Sequence, residues 1–107
     1  MTRGKFYGNN YWLIEQISQK ANVKSVREVG IAVHFTTDKG AYTVYTPNSD
    51  EYRVTADVID RAKEAGATMV SYSTSWCGNT DEGRDRGREI DVQVMPHGAF
   101  FRRIDKM

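Results

Sequence analysis

The direct passage from an amphipathic helix into a short apolar strand, between Thr55 and Ser73, constrains the fold more than any other feature of this sequence. Thr55 is a typical N-cap residue, Asp57 is favourable at the positive end of a helix dipole, and Gly66 supplies a C-terminal stop. Apolar residues at helical spacing form one face: Val58, Ile59, Ala62 and Ala65. The ATMVSYS that follows predicts a strand. A helix leading into a strand indicates a crossover that pairs this strand in parallel with an earlier one.

An antiparallel hairpin is predicted upstream of this helix. From Val29 to Thr36, large apolar side chains alternate with small or polar ones, which is the period of a strand. Asp38-Lys39-Gly40 marks a turn, and the next residues, AYTVYT, are rich in β-branched and aromatic side chains. The turn formers of residues 47–50 then close the hairpin.

A first helix is predicted over residues 10–21, where Leu13, Ile14 and Ile17 have helical spacing and Asn9 or Asn10 is available as N-cap. Near the C-terminus, DVQVM predicts a strand, Pro96-His97-Gly98 a turn and AFFRRI a candidate last strand.

Residues 79–90, NTDEGRDRGREI, fit either a helix or a loop. For a helix, Asn79 and Glu82 stand at the capping-box interval. Gly83 and Gly87 fall on one face together with Ile90. The helix hypothesis therefore places the backbone of this segment very close to the sheet.

These patterns predict an α/β or α+β fold in one compact domain over residues 1–107. We expect a small mixed sheet with an N-terminal hairpin, in a single layer flanked by two to three helices.

The composition, with 39% hydrophobic and 27% charged residues, is typical of a globular protein. No apolar run approaches the roughly 18 to 20 residues of a membrane span, and the N-terminal residues lack the apolar stretch of a secretory signal. We therefore expect a cytoplasmic protein that does not enter a membrane. A single cysteine excludes an intramolecular disulfide.

The net charge of +1 is unevenly distributed: residues 1–27, 28–82 and 83–107 carry formal charges of +4, −5 and +2. Because the overall field is weak, nucleic-acid binding would have to depend on a local patch.

The stretch SYSTSWCGNT, with DVQVMPHGAFF downstream, resembles the thioredoxin and glutaredoxin families. The resemblance implies that Cys77 is a thiolate activated at a helix N-terminus and that Pro96 is the cis-proline. The chain departs from the pattern at Thr80, where a dithiol enzyme has its resolving cysteine. Pro96 lies only 19 positions after Cys77, which leaves too few residues for the helix and strand of that family. We expect a structural cysteine, with a thioredoxin-like thiol protein as an alternative.

No complete catalytic constellation can be assembled from the remaining residues. His34 and His97 are expected to be solvated or locally hydrogen-bonded, because one lies in a strand and the other in a turn. One cysteine and two separated histidines do not have the short paired spacings of a zinc site, and no phosphate-binding glycine loop is present. We therefore predict no catalytic residue, no metal site and no cofactor.

The order of elements, with the phrase VIDRAKEAGATMVSYSTSWCGNTDEGRDRGREIDVQVM, resembles the core of Mrr-type restriction-endonuclease-like nucleases. The resemblance implies a fold associated with nucleic acids. The chemistry of that family requires an Asp at the hairpin, and a Glu or Gln two residues before a Lys on the next strand. Asp38 is available for the first role, but residues 41–46 contain no acid and no lysine. The resemblance therefore implies a catalytically inactive copy.

The predicted function is accordingly that of a non-catalytic, macromolecule-binding domain. The candidate phosphate contacts are Arg84, Arg88, Arg102 and Arg103. On a helix Arg84 and Arg88 share a face, and interleaved acidic residues are expected to pair with the arginines of this region. The alternative is a protein-binding inhibitor or adaptor of a mobile-element type, which would use the acidic middle segment or a sheet edge.

Overall fold

A computed structural model of the chain describes residues 8–47, 53–74 and 77–107. Within these ranges the elements are α1 (Asn10–Ser18), β1 (Val23–Val29), β2 (Ala32–Thr37), β3 (Gly40–Tyr45), β4 (Arg53–Val54), α2 (Ala56–Glu64), β5 (Met69–Tyr72), β6 (Gly78–Asn79), α3 (Asp81–Ile90), β7 (Gln93–Pro96) and α4 (His97–Ile104). The mixture of helices and strands confirms the predicted α/β class. The described residues contain four helices, one more than the upper limit we predicted, and none of these is long and apolar enough to cross a membrane.

The main sheet has five strands in the order β1-β2-β3-β5-β7. The first three form an antiparallel meander, in which Val33 of β2 faces Val44 of β3. β5 lies parallel to β3, and β7 lies parallel to β5. Since neighbouring parallel strands need a crossover connection, α2 and α3 each carry the chain back across the sheet. The predicted β2–β3 hairpin and the predicted parallel pairing of β5 are both confirmed. β4 and β6 form a separate parallel pair.

Helices cover both faces of the sheet, and a cluster of buried side chains lies under each layer. The α2 and α3 side contains Tyr45, Val54, Val58, Ile59, Ala62, Ala67, Val70, Cys77 and Val92. The α1 and α4 side contains Leu13, Ile17, Val33, Phe35, Val44, Met69, Phe100 and Ile104. Successive strand residues such as Met69 and Val70 enter opposite clusters because side chains alternate along a strand. The inner parallel strands are therefore apolar at consecutive positions.

The helix predicted after Thr55 is confirmed. Thr55 is the N-cap residue of α2, although its side chain makes no capping hydrogen bond. Gly66 follows the helix with φ of +87°, a conformation that favours glycine and ends the helix. The first helix is also confirmed, but it ends at Ser18, three residues before the predicted end.

Gly30 divides the segment that the alternation pattern presented as one strand. Its φ of +62° lies in the left-handed region, so the chain turns at Gly30-Ile31 and β1 folds back against β2. Val29 consequently belongs to β1 and is paired with Ala32. The prediction of one strand from Val29 to Thr36 was wrong because apolar alternation continues through this tight turn.

The predicted last strand, AFFRRI, is instead part of α4, which begins at His97 in place of the predicted turn. Phe100 and Ile104, four residues apart, are completely buried on one face of this helix. In a strand, Arg102 would share the face of Phe100 and Ile104, whereas the helix leaves it exposed. Side-chain burial therefore favours the helix.

Residues 81–90 form a helix, so the segment for which the sequence allowed either a helix or a loop is helical. A Cβ atom added to Gly83 would lie 2.0 Å from the carbonyl oxygen of Val54, and one added to Gly87 would lie 2.5 Å from that of Val92. The predicted close approach to a sheet is therefore confirmed at Gly83, which packs against β4, whereas Gly87 packs against the turn that leads into β7. The capping-box prediction was wrong: the N-cap is Thr80, whose hydroxyl accepts a hydrogen bond from the Gly83 amide at 3.0 Å. Asn79 lies one residue earlier, in β6.

Candidate functional site

The four arginines predicted to contact phosphate lie on two helices that pack on opposite faces of β7. Arg84 and Arg88 are exposed one turn apart on α3, as their spacing predicted. Arg102 and Arg103 are exposed in the last turn of α4. β7 is the last strand in the order of the main sheet, so the two helices flank a sheet edge.

Two surface depressions meet at the amino end of β7, and arginines line both. Arg84 and Arg88 line the first, which has a volume of ≈ 430 Å³. Arg103 lines the second, of ≈ 220 Å³. Asp91 and Gln93 line both depressions. The structure therefore brings these three arginines to the border of one surface.

Arg102 lines a third depression together with Lys106 and with Arg103, which also lines the second depression. We refer to the four arginines with Asp91 and Gln93 as the basic surface. It joins the two C-terminal helices, although the two arginine pairs are separated by the whole of β7 in the sequence.

The arginines of α3 pair with acidic residues of the same helix. Arg84 lies 3.4 Å from Asp81, and Arg88 lies 3.5 Å from Asp85. Both pairs are solvent-exposed, and such pairs contribute roughly 0–1 kcal/mol each.

Arg86 points elsewhere and has shorter contacts, at 2.7 Å to Asp60 of α2 and 2.7 Å to Glu89. Its hydrogen bond to Asp60, assisted by the bond to Glu89, raises the pKa of Arg86. The pairing expected with interleaved acidic residues is thus present for Arg86 with Glu89 and for Arg88 with Asp85, whereas the contacts with Asp81 and Asp60 were not predicted.

The arginines of α4 are not compensated in this way. Within the described part of the chain, neither Arg102 nor Arg103 forms an ion pair. The nearest acidic residue in sequence, Asp105, is paired with Lys20 of the loop after α1 at 3.1 Å. These two guanidinium groups are therefore the least compensated charges of the basic surface.

Cys77 is a buried residue of the core rather than a thiol at a helix N-terminus. Its side chain is 7% exposed and belongs to the cluster under α2 and α3. Helix α3 begins four residues later, after β6, and is capped by Thr80. The described residues contain no cis peptide bond, so Pro96 is not the cis-proline that the thioredoxin resemblance implies. The expectation of a structural cysteine agrees with this placement.

The positions implied by the nuclease resemblance hold no cluster of metal ligands. Asp38 lies in the turn between β2 and β3 and pairs with Lys24 at 2.8 Å. Across the described residues, no group of three His, Cys, Asp or Glu side chains is placed to hold a metal ion. His34 bonds through Nδ1 to the Thr43 hydroxyl on the neighbouring strand at 2.9 Å, as expected for a locally hydrogen-bonded residue.

A second candidate site lies at the opposite, carboxyl end of β5 and β7, and sequence reasoning missed it. The described residues lining this cleft of ≈ 220 Å³ are Asn9, Trp12, Ser73 and His97. His97 Nδ1 lies 2.5 Å from the hydroxyl of Ser71, a completely buried residue of β5. The signal in the sequence was the position of both residues at predicted strand ends, because the carboxyl ends of neighbouring parallel strands meet at one edge.

The imidazole of His97 is uncharged at neutral pH. Burial lowers the pKa of His97 to about 4, because desolvation disfavours the protonated ring. Aromatic side chains surround it: the ring centroids of Trp12 and Phe101 lie 5.0 and 5.8 Å from that of His97.

The sequence matches no protein-family model and no curated protein, and the fold matches no solved structure.

Proposed function

We propose that this chain is a non-catalytic domain that binds the phosphate backbone of nucleic acid through the basic surface. The observation that carries the proposal is the shared border of the two depressions, where arginines from α3 and α4 meet around Asp91 and Gln93. A guanidinium group can form two parallel hydrogen bonds to a phosphate. Arginines presented by two helices can contact successive phosphates along a strand.

The proposal depends on local charge, because the net charge of the whole chain is only +1. The weak, exposed ion pairs of Arg84 and Arg88 do not block this role, since a phosphate that replaces either carboxylate costs the helix little. Arg102 and Arg103 form no ion pair with a described residue. If all four arginines neutralise a phosphate of duplex DNA, the slope of log affinity against log salt is about −3.6.

The composition of the hairpin supports the non-catalytic part of the proposal. β3, the strand on which the resemblance requires a carboxylate or amide and a lysine, runs from Gly40 to Tyr45 and has none of them. Asp38, the one candidate ligand there, is engaged with Lys24. Hydrolysis by a metal-bound water would require more oxygen ligands than this hairpin offers.

Fluorescence anisotropy of labelled duplex DNA, single-stranded DNA and RNA, titrated over a series of salt concentrations, tests the proposal. The test variants are Arg84→Ala/Arg88→Ala and Arg102→Ala/Arg103→Ala. Each removes two charges from the basic surface and should make the salt slope on duplex DNA shallower by about 1.8. The matched control is Arg27→Ala/Arg61→Ala, which removes two exposed positive charges that do not line these depressions. The control should retain the wild-type slope.

Two results would contradict the proposal. One is the absence of binding to all three nucleic acids at low salt. The other is an equal loss in the control and test variants, because binding would then depend on total charge and not on this surface.

A protein partner is the second candidate, because the main sheet has two edge strands, β1 and β7. An added strand from another protein could pair with such an edge. A complex with a protein that survives both arginine double substitutions would favour this alternative.

A further inference from the structure

The cleft at the carboxyl end of β5 and β7 is separate from the basic surface. Asn9, Trp12, Ser73 and His97 line it, and none of them borders the arginine-lined depressions. His97 begins α4 at the carboxyl end of β7, whereas Gln93 of the basic surface begins β7 at its amino end. The two sites therefore lie at opposite ends of the same strand.

The polar groups described in this cleft are uncharged at neutral pH. Asn9 and Ser73 have neutral side chains, and His97 is neutral because burial lowers its pKa to about 4. A charged ligand group would lose its hydration here without gaining an ion pair from these residues. The chemistry of the described lining therefore selects an uncharged group that can form hydrogen bonds.

The hydrogen bond between His97 and Ser71 determines what His97 can offer to a ligand. The Ser71 hydroxyl is completely buried, and among the described residues its one hydrogen-bond partner is His97 Nδ1. Because a buried hydroxyl proton needs an acceptor, Ser71 donates to Nδ1. The ring proton of neutral His97 then resides on Nε2. This nitrogen has no partner within the described chain, which leaves an N–H donor for a ligand.

Trp12 supplies an aromatic surface beside this donor. Its side chain is 41% exposed although it is a large apolar residue. Edge contact with Phe101, at a centroid distance of 5.9 Å and an interplanar angle of 65°, supports the indole from one side. The tilted His97 ring supports it at 5.0 Å. An indole that is held in place and still exposed is suited to stacking on a planar ligand.

The same end of the sheet carries buried polar atoms that lack partners among the described residues. Asn10 Oδ1 is one; its amide group bonds to the Ile31 carbonyl, at the turn before β2. Thr46 Oγ1, directly after β3, is another. Unpaired buried polar groups are costly and call for an explanation. Neither atom belongs to a residue that lines the cleft, but both lie toward the end of the sheet where the cleft opens.

We propose that the cleft formed by Trp12, His97, Ser73 and Asn9 binds a nucleobase. The base stacks on Trp12 and accepts a hydrogen bond from His97 Nε2 through a carbonyl oxygen or a ring nitrogen. A cleft of ≈ 220 Å³ accommodates a single base but is smaller than the roughly 300–1,000 Å³ of sites that enclose a drug-sized ligand. The base can belong to a free nucleoside or to an unpaired position of a nucleic-acid strand. This inference uses no residue of the basic surface and does not depend on the function proposed above.

The test is a titration of the full chain with adenosine, guanosine, cytidine and uridine, followed through the Trp12 indole N–H signal in ¹H–¹⁵N correlation spectra. The variant Trp12→Phe assigns that signal. We expect a saturable shift with at least one nucleoside and none with ribose. A nucleoside 5′-monophosphate should bind no more tightly than its nucleoside, because no described lining residue is a cation.

Variants then identify the interactions. Trp12→Ala removes the stacking surface and should weaken binding at least 5-fold, in line with the free energy that alanine substitution gives for base–aromatic stacking. Since Trp12 is partly exposed, this variant should remain folded. His97→Phe keeps an aromatic ring and removes the donor, and should weaken binding about 3- to 10-fold. Arg27→Ala/Arg61→Ala, which changes neither a described residue of the cleft nor one of the basic surface, is the control and should bind nucleosides as the wild type does.

A single-stranded oligonucleotide and an abasic oligonucleotide of the same length distinguish the two sources of the base. A shift with the oligonucleotide but not with nucleosides would place the base in a strand, whereas a shift with nucleosides would show that the base alone suffices. No shift with either, an equal shift with ribose or the abasic strand, or full binding by Trp12→Ala would overturn the proposal.

Discussion

The substitution Gly83→Ala tests the closest approach between α3 and the rest of the fold. An alanine Cβ at this position would lie 2.0 Å from the carbonyl oxygen of Val54 and 2.9 Å from its carbonyl carbon. A carbon atom ordinarily comes no closer to a carbonyl oxygen than about 3.3 Å, so the helix has to move away from β4 by about 1.3 Å. The obstacle is backbone, which cannot rotate aside as a flexible side chain would.

The expected cost follows from what that movement disrupts. The Val54 carbonyl accepts hydrogen bonds from the Thr80 hydroxyl at 2.8 Å and from the Thr80 amide at 3.3 Å. Losing both costs about 2 kcal/mol, and overpacking adds about 1–3 kcal/mol. Alanine returns about 1 kcal/mol through its higher helix propensity. The net loss in the free energy of unfolding is therefore about 2–4 kcal/mol.

Urea unfolding followed by circular dichroism at 222 nm measures this loss. For a domain of this size, the thermal midpoint should also fall by roughly 10–20 °C. The matched control is Gly98→Ala in α4, where the added Cβ meets only the flexible guanidinium of Arg102, at 3.6 Å. This control should be as stable as the wild type, or slightly more stable. A Gly83→Ala variant that is as stable as Gly98→Ala would refute the close packing of α3 on β4.

Three further predictions concern the cap, the histidine and the basic surface. Thr80→Ala should lower the free energy of unfolding, measured in urea, by about 1–2 kcal/mol. Thr80→Ser should lose much less stability, because the serine hydroxyl can still accept a hydrogen bond from the Gly83 amide. Equal losses in the two variants would contradict a capping role. The wild type should lose stability as the pH falls from about 6.5 to about 4, because the pKa of His97 is lowered to about 4 in the fold while the unfolded chain takes up the proton earlier. Because solvent screens this partly buried ring, the effect is limited to about 1–2 kcal/mol. In His97→Gln all carboxylates still titrate, and this part of the pH dependence should be absent when urea unfolding is measured at each pH. Asp91→Asn should raise the affinity for duplex DNA about 2- to 5-fold in anisotropy titrations, because it removes the carboxylate that lines both depressions. Asparagine tolerates the φ of 62° found at this position, so the variant should keep the fold. An unchanged affinity would show that the phosphates bind elsewhere.

Features specified by neighbouring residues could be predicted from the sequence. The cap, the apolar face and the terminal glycine of α2 lie within twelve consecutive residues, from Thr55 to Gly66. A helix followed at once by a strand also predicts the parallel pairing of β5, since the crossover has few alternatives. Gly83 and Gly87 did not decide between a helix and a loop, but they predicted that a helix here would pack closely, because glycines on one face allow such an approach. Prediction from neighbouring residues failed at Gly30, where apolar alternation continues through a tight turn, and along AFFRRI, which was predicted to be a strand and belongs to helix α4.

The candidate sites depend on longer-range geometry. Ser71 and His97 are 26 residues apart, and they meet because β5 and β7 are parallel neighbours whose carboxyl ends coincide. Arg84 and Arg103 border one surface because α3 and α4 pack on opposite faces of the same edge strand. The sequence by itself determined those helices and strands whose apolar periodicity, caps and turns depend only on neighbouring residues. Only the tertiary structure decided which polar side chains share a cleft, because those distances depend on strand order and on the face that each helix covers.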